Sequence, residues 1–201
     1  MQKIMFNNKY GLTQAVLEGR KTQTRRIAYT GNATIIDCGI CVEPKNIGRA
    51  TLFRGIDEIA HSRYCIGEEV AVAQAYCVLV SEVGYNEEEI NKLMCSKGWI
   101  NKMYVKADLM THRIRITDIR AERLQEISDE DCIAEGIREQ YFYSGEEEPE
   151  FEGYSYYAKN VLKPLFCTPR EAYAALINKI SGKGTWASNP YVFVYEFELI
   201  K

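Results

Sequence analysis

The residues best suited to acid–base and anion-binding chemistry are concentrated in one short segment, residues 19–26. Its sequence is Gly-Arg-Lys-Thr-Gln-Thr-Arg-Arg, so four of its eight residues are cationic. The 201-residue chain as a whole carries a formal charge of −3. A local basic patch on an acidic protein concentrates an anionic ligand at one place instead of coating the whole surface. We therefore predict an anion-binding site at this segment.

Two residues of the segment are also suited to a reaction. Lys21 stands three residues before Thr24, which places a candidate base close to a hydroxyl that could act as a nucleophile. Threonine is a poor nucleophile unless a base removes its proton, so the role of Thr24 depends on Lys21. We predict that Arg20, Arg25 and Arg26 bind the ligand, because arginine binds phosphate and carboxylate groups through paired hydrogen bonds. The alternative for Arg20 and Lys21 is that they only complement the dipole of the preceding helix.

Two further regions contain candidate functional residues. Glu135 precedes Gly136 at the expected end of a short helix, where the negative end of the dipole favours the protonated carboxyl of a general acid. A surface glutamate without a role is the alternative. Lys183 and Trp186 lie in the glycine-containing loop 182–191, and we predict that they bind the ligand, with Trp186 as a stacking platform for a base. The alternative is a tight turn with Trp186 packed into the core.

The elements expected around these residues indicate an α+β protein. A strand pattern at residues 3–6 is followed by helical spacing of apolar residues at 8–18, which ends at Gly19. A strand at 112–121 breaks its alternation near Asp118, as at a β-bulge. Further strands are predicted at 50–53, 70–76, 104–106 and 191–199, and further helices from Ser128 to Gly136 and from Thr168 to Ile180.

Few of these strands are separated by regular helices, which disfavours a doubly wound parallel sheet. We predict one α+β domain over residues 1–201, built as a small mixed β-barrel with flanking helices. Three stretches read as loop insertions, at about 28–66, 80–102 and 138–165. The last of these contains the acidic residues 146–152, for which a flexible loop is expected and an acidic docking segment is the alternative.

The composition excludes several classes of protein. Apolar residues make up 46% of the chain and charged residues 26%, as in ordinary soluble globular proteins. No apolar run reaches the roughly 20 residues that span a bilayer, and residues 1–6 are too short and polar for a signal peptide. We therefore expect a cytoplasmic protein without a membrane partner.

The seven cysteines are odd in number and scattered, which indicates reduced thiols and not a disulfide framework. Cys38 and Cys41 form a C-x-x-C pair, and His61 and Cys65 follow downstream. A zinc site made of these four residues is the alternative. Because a lone C-x-x-C is a weak signal, we predict no metal and no cofactor.

Three segments, at the beginning, middle and end of the chain, together resemble one family. Residues 19–26 are similar to the G-x-K-x-x-T-x-R signature of ASCH domains, which are related to the PUA fold. Residues 113–136 and 177–197 resemble the longer, phage- or prophage-type branch of that family. The resemblance implies a β-barrel with a cleft beside the signature and a role in binding RNA, a nucleoside or a nucleotide.

A bacterial branch of this family is an amidohydrolase that removes the acetyl group from acetylated cytidine. Its lysine, threonine and glutamate correspond by motif to Lys21, Thr24 and Glu135, and the resemblance implies that these are catalytic without a metal. Related sequences often have arginine and glutamate where this chain has Ala73 and Gln74, and the compact amidohydrolases are about half as long. A ligand other than acetylated cytidine is therefore a further alternative for this chain. The alternatives are a non-catalytic RNA-binding module and a phage-accessory structural protein.

Overall fold

The computed structural model describes residues 1–30, 33–35, 40–42, 48–54, 57–142, 150–156 and 165–200. These residues form a mixed α+β structure, as predicted. The strands are β1 (Gln2–Ile4), β2 (Gln23–Ile27), β3 (Tyr29–Thr30), β4 (Ala33–Thr34), β5 (Ile40–Val42), β6 (Thr51–Arg54), β7 (Asp57–His61), β8 (Glu69–Val72), β9 (Arg113–Arg123), β10 (Arg138–Phe142), β11 (Glu150–Ser155) and β12 (Tyr191–Ile200). The α-helices are α1 (Leu12–Leu17), α2 (Tyr76–Glu82), α3 (Glu87–Met94), α4 (Asp129–Ala134), α5 (Pro169–Ser181) and α6 (Thr185–Ser188). Short 3-10 turns occur at Lys102–Tyr104, Ala107–Leu109 and Leu124–Glu126.

The largest sheet has five strands in the order β1-β8-β9-β12-β2. β1 and β8 are parallel, whereas the other neighbouring pairs are antiparallel, so the sheet is mixed. Across the described ranges the sheet is open, with β1 and β2 at its two edges, and no closed barrel is found. The edge position of β2 matters for function because this strand contains the second half of the basic segment.

The two longest strands, β9 and β12, form the centre of this sheet. Glu196 pairs with Asp118 and the next residue, Phe197, pairs with Ile116, so Thr117 is an extra residue on β9. This is the β-bulge predicted near Asp118. Side chains on both faces of β12 are buried, which is why the strand is apolar at nearly every position.

Helix α5 covers one part of the core and begins as its sequence predicts. The Thr168 hydroxyl accepts the Glu171 N–H at 3.2 Å, and Pro169 occupies the first turn. Ala172, Tyr173 and Leu176 of this helix are buried in the same apolar cluster as β12. The side of α5 beyond this cluster forms one wall of the cavity described below.

Several sequence-based element predictions were wrong in detail. The strand predicted at 104–106 is absent there, because Asn101 accepts the Met103 N–H at 2.9 Å and caps a 3-10 turn at Lys102–Tyr104. The strand predicted at 70–76 ends at Val72, and Tyr76 begins α2. The helix predicted from residue 8 begins at Leu12, because Gly11 before it is left-handed with φ of 68°.

The three predicted insertions contain more regular structure than expected. The first contains a three-stranded antiparallel sheet, β5-β6-β7, and the hairpin β3–β4. The second contains the end of α2 and the whole of α3, and α3 opens with a capping box between Asn86 and Glu89. The third contains the hairpin β10–β11, although most of the acidic stretch 146–152 lies outside the described residues. Among the helices that are described, none combines the length and the apolar character that a bilayer crossing needs.

Candidate functional site

Strand β2 separates the residues of the basic segment onto two faces of the sheet. Thr24 and Arg26 pair with the aromatic residues Tyr195 and Phe193 of β12. Because side chains alternate along a strand, Thr24 and Arg26 share one face and Arg25 lies on the other. The two neighbouring arginines therefore have different surroundings.

The turn between α1 and β2 places Lys21 against the end of α4. The N–H groups of Arg20 and Lys21 both donate to the carbonyl of Ala15, at 2.9 and 3.0 Å, which turns the chain sharply after α1. The next N–H, of Thr22, donates to the carbonyl of Ala134 at 3.0 Å. Glu135 caps the C-terminus of α4, so this main-chain bond brings Lys21 and Glu135 together from positions far apart in the sequence.

Lys21 and Glu135 form a buried ion pair. Lys21 Nζ lies 2.5 Å from Glu135 Oε2, and the two side chains are 1% and 6% exposed. Lys21 Nζ also donates to the carbonyl oxygens of Gln23 at 2.7 Å and of Glu135 at 2.8 Å. An ammonium group has three hydrogens, so all of them are bonded to oxygen in this arrangement.

The other oxygen of Glu135 is held by Arg25. Glu135 Oε1 accepts the Arg25 main-chain N–H at 2.6 Å and the Arg25 Nη1 group at 3.3 Å. With Lys21 on Oε2, both oxygens act as acceptors, which is the arrangement of an ionised carboxylate. Two cationic side chains, Lys21 and Arg25, thus adjoin the carboxyl group that was predicted to act as an acid.

Arg25 itself is enclosed by carboxylates. Its side chain is fully buried, with Nη2 at 2.8 Å from Glu122 and 2.5 Å from Asp131. Nε donates to Glu122 at 2.9 Å, and Nη1 also faces Gln23 at 3.3 Å. All five N–H groups are thus engaged. This arrangement indicates that Arg25 positions the carboxylates around it, although the residue also belongs to the lining of the cavity described below. The ligand-binding role of Arg25 stays a prediction.

A second arginine completes this charged network. Arg120 of β9 donates to Glu122 at 3.0 Å, to Asp131 at 2.7 Å and to Glu196 at 2.5 Å. Asp131 therefore bridges Arg120 and Arg25, and the chain of contacts extends to Glu135. Such a network fixes the orientation of the carboxylate that faces Lys21.

A cavity of about 600 Å³ lies beside the ion pair, and we refer to it as the first cavity. Lys21, Thr24 and Glu135 all line it, so the three residues predicted to be catalytic converge on one hollow. Its apolar lining comes from the segment before α1, from α1, from β2 and from α5. These residues include Phe6, Leu12, Ile27, Tyr173, Leu176 and Ile177. The Thr24 hydroxyl forms no hydrogen bond with any residue that the structure describes.

No family model, curated protein or solved structure matches this chain. The geometry of this cavity and the sequence signature are therefore the only indications of function.

Burial lowers the pKa of the Lys21 amine below the usual lysine range. Glu135 opposes this change through its charge and its hydrogen bond, while Arg26 and Arg25 add to it. A lowered pKa increases the fraction of the amine that is neutral near pH 7. The neutral amine is the form of lysine that acts as a general base. Conversely, Glu122 and Glu135 raise the pKa of Arg25 against the effect of burial, so this group stays charged.

Arg26 is the cation of the basic segment that remains available to a ligand. Its Nη2 donates to the carbonyl of Met5 at 2.7 Å, and its guanidinium lies 5.8 Å from the Phe6 ring centre. No carboxylate of the described ranges lies within 4 Å of it. Arg26 lines the first cavity, and its remaining donors have no partner among the described residues, so its ligand-binding role stays a prediction.

Three predicted ligand-binding residues do not line the first cavity. Arg20 pairs with Glu18 at 2.6 Å on the surface, and Lys183 is exposed beyond the end of α5. Trp186 packs edge-on against Tyr173 with ring centres 6.3 Å apart, and the Arg170 guanidinium lies over the Trp186 ring at 5.4 Å from its centre. The alternative of a tryptophan packed against the core therefore describes Trp186 better than a stacking platform, because its ring is already covered.

Most residues of the cavity walls were not predicted from the sequence. Met5, Phe6 and Asn7, which precede α1, form one wall, and Ile180 and Ser181 at the end of α5 form another. The second wall could have been predicted only from the apolar residues of α5 that lie beside its core-facing side. Sequence reasoning also did not identify Lys102 as a residue next to the first wall. Its Nζ donates to the Phe6 carbonyl and to the side chains of Asn8 and Thr13.

The zinc alternative cannot be placed on this structure. Cys38 and the side chain of Cys41 lie outside the described residues. In the ranges that are described, no three His, Cys, Asp or Glu side chains are grouped as metal ligands. Cys65 instead accepts a hydrogen bond from Arg49 Nε at 3.0 Å.

Proposed function

We propose that this chain is an ASCH-like protein of the PUA-related group, which binds a nucleoside or nucleotide in the first cavity and hydrolyses the amide of acetylated cytidine. The observation that carries the proposal is the convergence of Lys21, Thr24 and Glu135 on one cavity. These residues come from two segments separated by more than a hundred positions, and they are the ones that the signature implies to be catalytic.

The size and lining of the cavity support a ligand of this kind. A volume of about 600 Å³ falls within the range of small-molecule sites, which is roughly 300–1,000 Å³. Phe6, Ile27 and Ile177 offer apolar walls to a flat base, and Arg26 offers donors to a carbonyl or phosphate oxygen. Thr24 then stands beside the polar group of Lys21 and Glu135, where a substituent of the base would react.

In this proposal the ion pair supplies both the base and the acid. When the ligand excludes water, a proton passes from Lys21 Nζ to Glu135 Oε2, which gives a neutral amine and a neutral carboxyl group. Lys21 then accepts the hydroxyl proton of Thr24 as Thr24 Oγ1 attacks the amide carbon. The C–N bond breaks, Glu135 gives its proton to the departing amine of cytidine, and the acetyl group remains on Thr24 as an ester.

Water completes the reaction. Glu135, again a carboxylate, accepts a proton from the water that attacks the ester, and Lys21 returns its proton to Thr24 Oγ1. Acetic acid leaves and loses its proton to solvent, and the neutral amine and carboxyl group return to the ion pair when water re-enters the cavity. No atom beyond substrate and water is consumed.

Turnover of acetylcytidine, followed by chromatography of released cytidine, tests this proposal. Thr24→Val removes only the hydroxyl and should abolish turnover, and Lys21→Met should lower kcat by about 10²–10⁴, the usual contribution of a general base. The control is Lys92→Met, since Lys92 is exposed on α3 and does not line the cavity. Mass spectrometry of the wild-type protein mixed rapidly with substrate should detect a peptide containing Thr24 that carries one acetyl group. Turnover that survives Thr24→Val would refute the nucleophile.

A non-catalytic nucleoside- or RNA-binding module is the second candidate. The observation that favours it is that Lys21 donates all three hydrogens to Gln23 and Glu135 and makes no hydrogen bond with Thr24. The ion pair would then only shape the cavity. In that case the wild-type protein retains cytidine but does not turn over acetylcytidine, and Thr24→Val changes neither result.

A further inference from the structure

A second cavity of about 400 Å³ adjoins the first. The two cavities share Met5, Arg26, Ile27 and Tyr29 in their linings, so Arg26 stands at their junction. The second cavity is lined by cationic or basic groups and by aromatic rings, and no carboxylate belongs to its lining among the described residues. The chain as a whole has more acidic than basic residues, but a hollow lined by basic groups and no carboxylate attracts an anion.

Arg63 is the cation that distinguishes the second cavity from the first. Its main-chain N–H donates to the Tyr195 hydroxyl at 2.8 Å, which fixes the residue against the sheet. Its guanidinium lies 5.6 Å from the Tyr64 ring centre, and Nε donates to Gln2 at 3.3 Å. The two terminal nitrogens have no partner in the described part of the chain. A guanidinium with both terminal groups free presents the geometry that binds phosphate through two parallel hydrogen bonds.

Arg26 connects this cation to the reactive residues of the first cavity. Its charge reaches Lys21 on one side and the buried hydroxyls of Tyr64 and Tyr195 on the other. Tyr64 and Tyr195 pack edge to face, with ring centres 5.2 Å apart, and form a rigid floor under Arg63. Two arginines thus border one hollow next to the proposed site of the base.

We propose that the second cavity binds a phosphate group of the ligand whose base occupies the first cavity. The natural ligand is then a nucleotide, either free or within an RNA chain, and a nucleoside alone fills only half of the site. Arg63 and Arg26 hold the phosphate, and Arg63 is the residue that discriminates nucleotide from nucleoside. The inference rests on the proposed function only in the assignment of the base to the first cavity.

Calorimetric titration with cytidine and with cytidine 5′- and 3′-monophosphate tests this inference. One of the two monophosphates should bind to the wild-type protein about tenfold or more tightly than cytidine, which is the effect of one charge-assisted pair of hydrogen bonds. Arg63→Gln should reduce that ratio to near one, and Arg63→Lys should retain part of it. Arg115→Gln is the matched control. Arg115 lies on β9, pairs with Glu69 of β8 and Glu198 of β12, and lines neither of the two cavities.

The outcomes separate this inference from the proposed function. If acetylcytidine is turned over but neither monophosphate binds more tightly than cytidine, the phosphate site is refuted and the catalytic proposal stands. If a monophosphate binds more tightly through Arg63 without any turnover, the phosphate site stands and catalysis is refuted. An equal loss of cytidine and monophosphate affinity in Arg63→Gln, with unfolding unchanged, would also refute the phosphate site. A three-nucleotide RNA that binds more tightly than the monophosphate identifies an RNA chain as the source, and equal binding identifies the free nucleotide.

Discussion

The buried ion pair between Lys21 and Glu135 offers the sharpest test of the site. We consider the substitutions Lys21→Met, Glu135→Gln and their combination. Lys21→Met leaves the Glu135 carboxylate in place, with Arg25 as its remaining partner. Glu135→Gln leaves a buried ammonium group facing an amide that matches the acceptor pattern of a carboxylate only in part. The double substitution removes both charges and leaves two neutral side chains of similar size.

The expected magnitudes follow from the burial of the two side chains, which are 1% and 6% exposed. Removal of one partner from a pair this deeply buried costs about 3–5 kcal/mol of unfolding free energy, mostly because the other charge loses its partner. We expect Lys21→Met at the lower end, since Arg25 still compensates Glu135. The double variant should be destabilised by less than the sum of the single variants, with an interaction energy of about 1–3 kcal/mol.

Urea unfolding followed by circular dichroism measures these free energies, with Lys92→Met on the exposed side of α3 as the control. The control should change stability by less than about 0.5 kcal/mol. Single substitutions that each cost less than about 1 kcal/mol would refute the reasoning. So would costs that add to within about 0.5 kcal/mol, since independent sites behave in that way.

Two further predictions concern the charges around Arg26. Burial and the Arg26 charge lower the pKa of Lys102 to about 8, so the unfolded chain binds more protons between about pH 8 and the ordinary lysine value of about 10.4. Stability should therefore rise with pH across this window, and Lys102→Met should remove that part of the rise in urea unfolding series; parallel curves for both proteins would contradict it. For a short single-stranded RNA, the contact of Arg26 and Arg63 with one phosphate predicts a slope of log affinity against log salt of about −0.7, measured by fluorescence anisotropy. A slope near −2.8, as four phosphate contacts would give, would contradict the view that most cations of the basic segment are unavailable.

The local signals of the sequence were sufficient for many elements of the fold. The bulge in β9, the start of α5 after Thr168 and the strand β12 depend on nearby residues, and all three were predicted correctly. The hairpin β10–β11 and the sheet β5-β6-β7 were missed because their pairing is established between strands, and neither strand of a pair reveals its partner. The strand predicted at 104–106 failed because side-chain capping by Asn101 outweighed the β-propensity of the following residues.

Of the predicted site residues, the three proposed as catalytic all line the first cavity, whereas Arg20, Lys183 and Trp186 do not. Lys21, Thr24 and Glu135 were identified by motif, and the fold brings them to one cavity. The neighbouring Arg25 and Arg26 looked equivalent because a sequence does not reveal which side chains of an edge strand meet carboxylates on other elements. Arg63 gave no signal at all, since it lies in a stretch that was expected to be irregular.

The distribution of charge over the site follows from the alternation of side chains along β2, which puts Arg25 and Arg26 on opposite faces. Three of the four cations in residues 19–26 are neutralised by the fold, because Arg20, Lys21 and Arg25 each have a carboxylate partner. Arg26 alone has none in the described ranges, so the basic segment contributes one available positive charge to the cavity and not four. A single guanidinium cannot attract RNA non-specifically, but it can orient one ligand whose base and phosphate lie on either side of it. The same segment therefore serves mainly to build a rigid, charge-compensated wall, and the selectivity of the site depends on what adjoins Arg26.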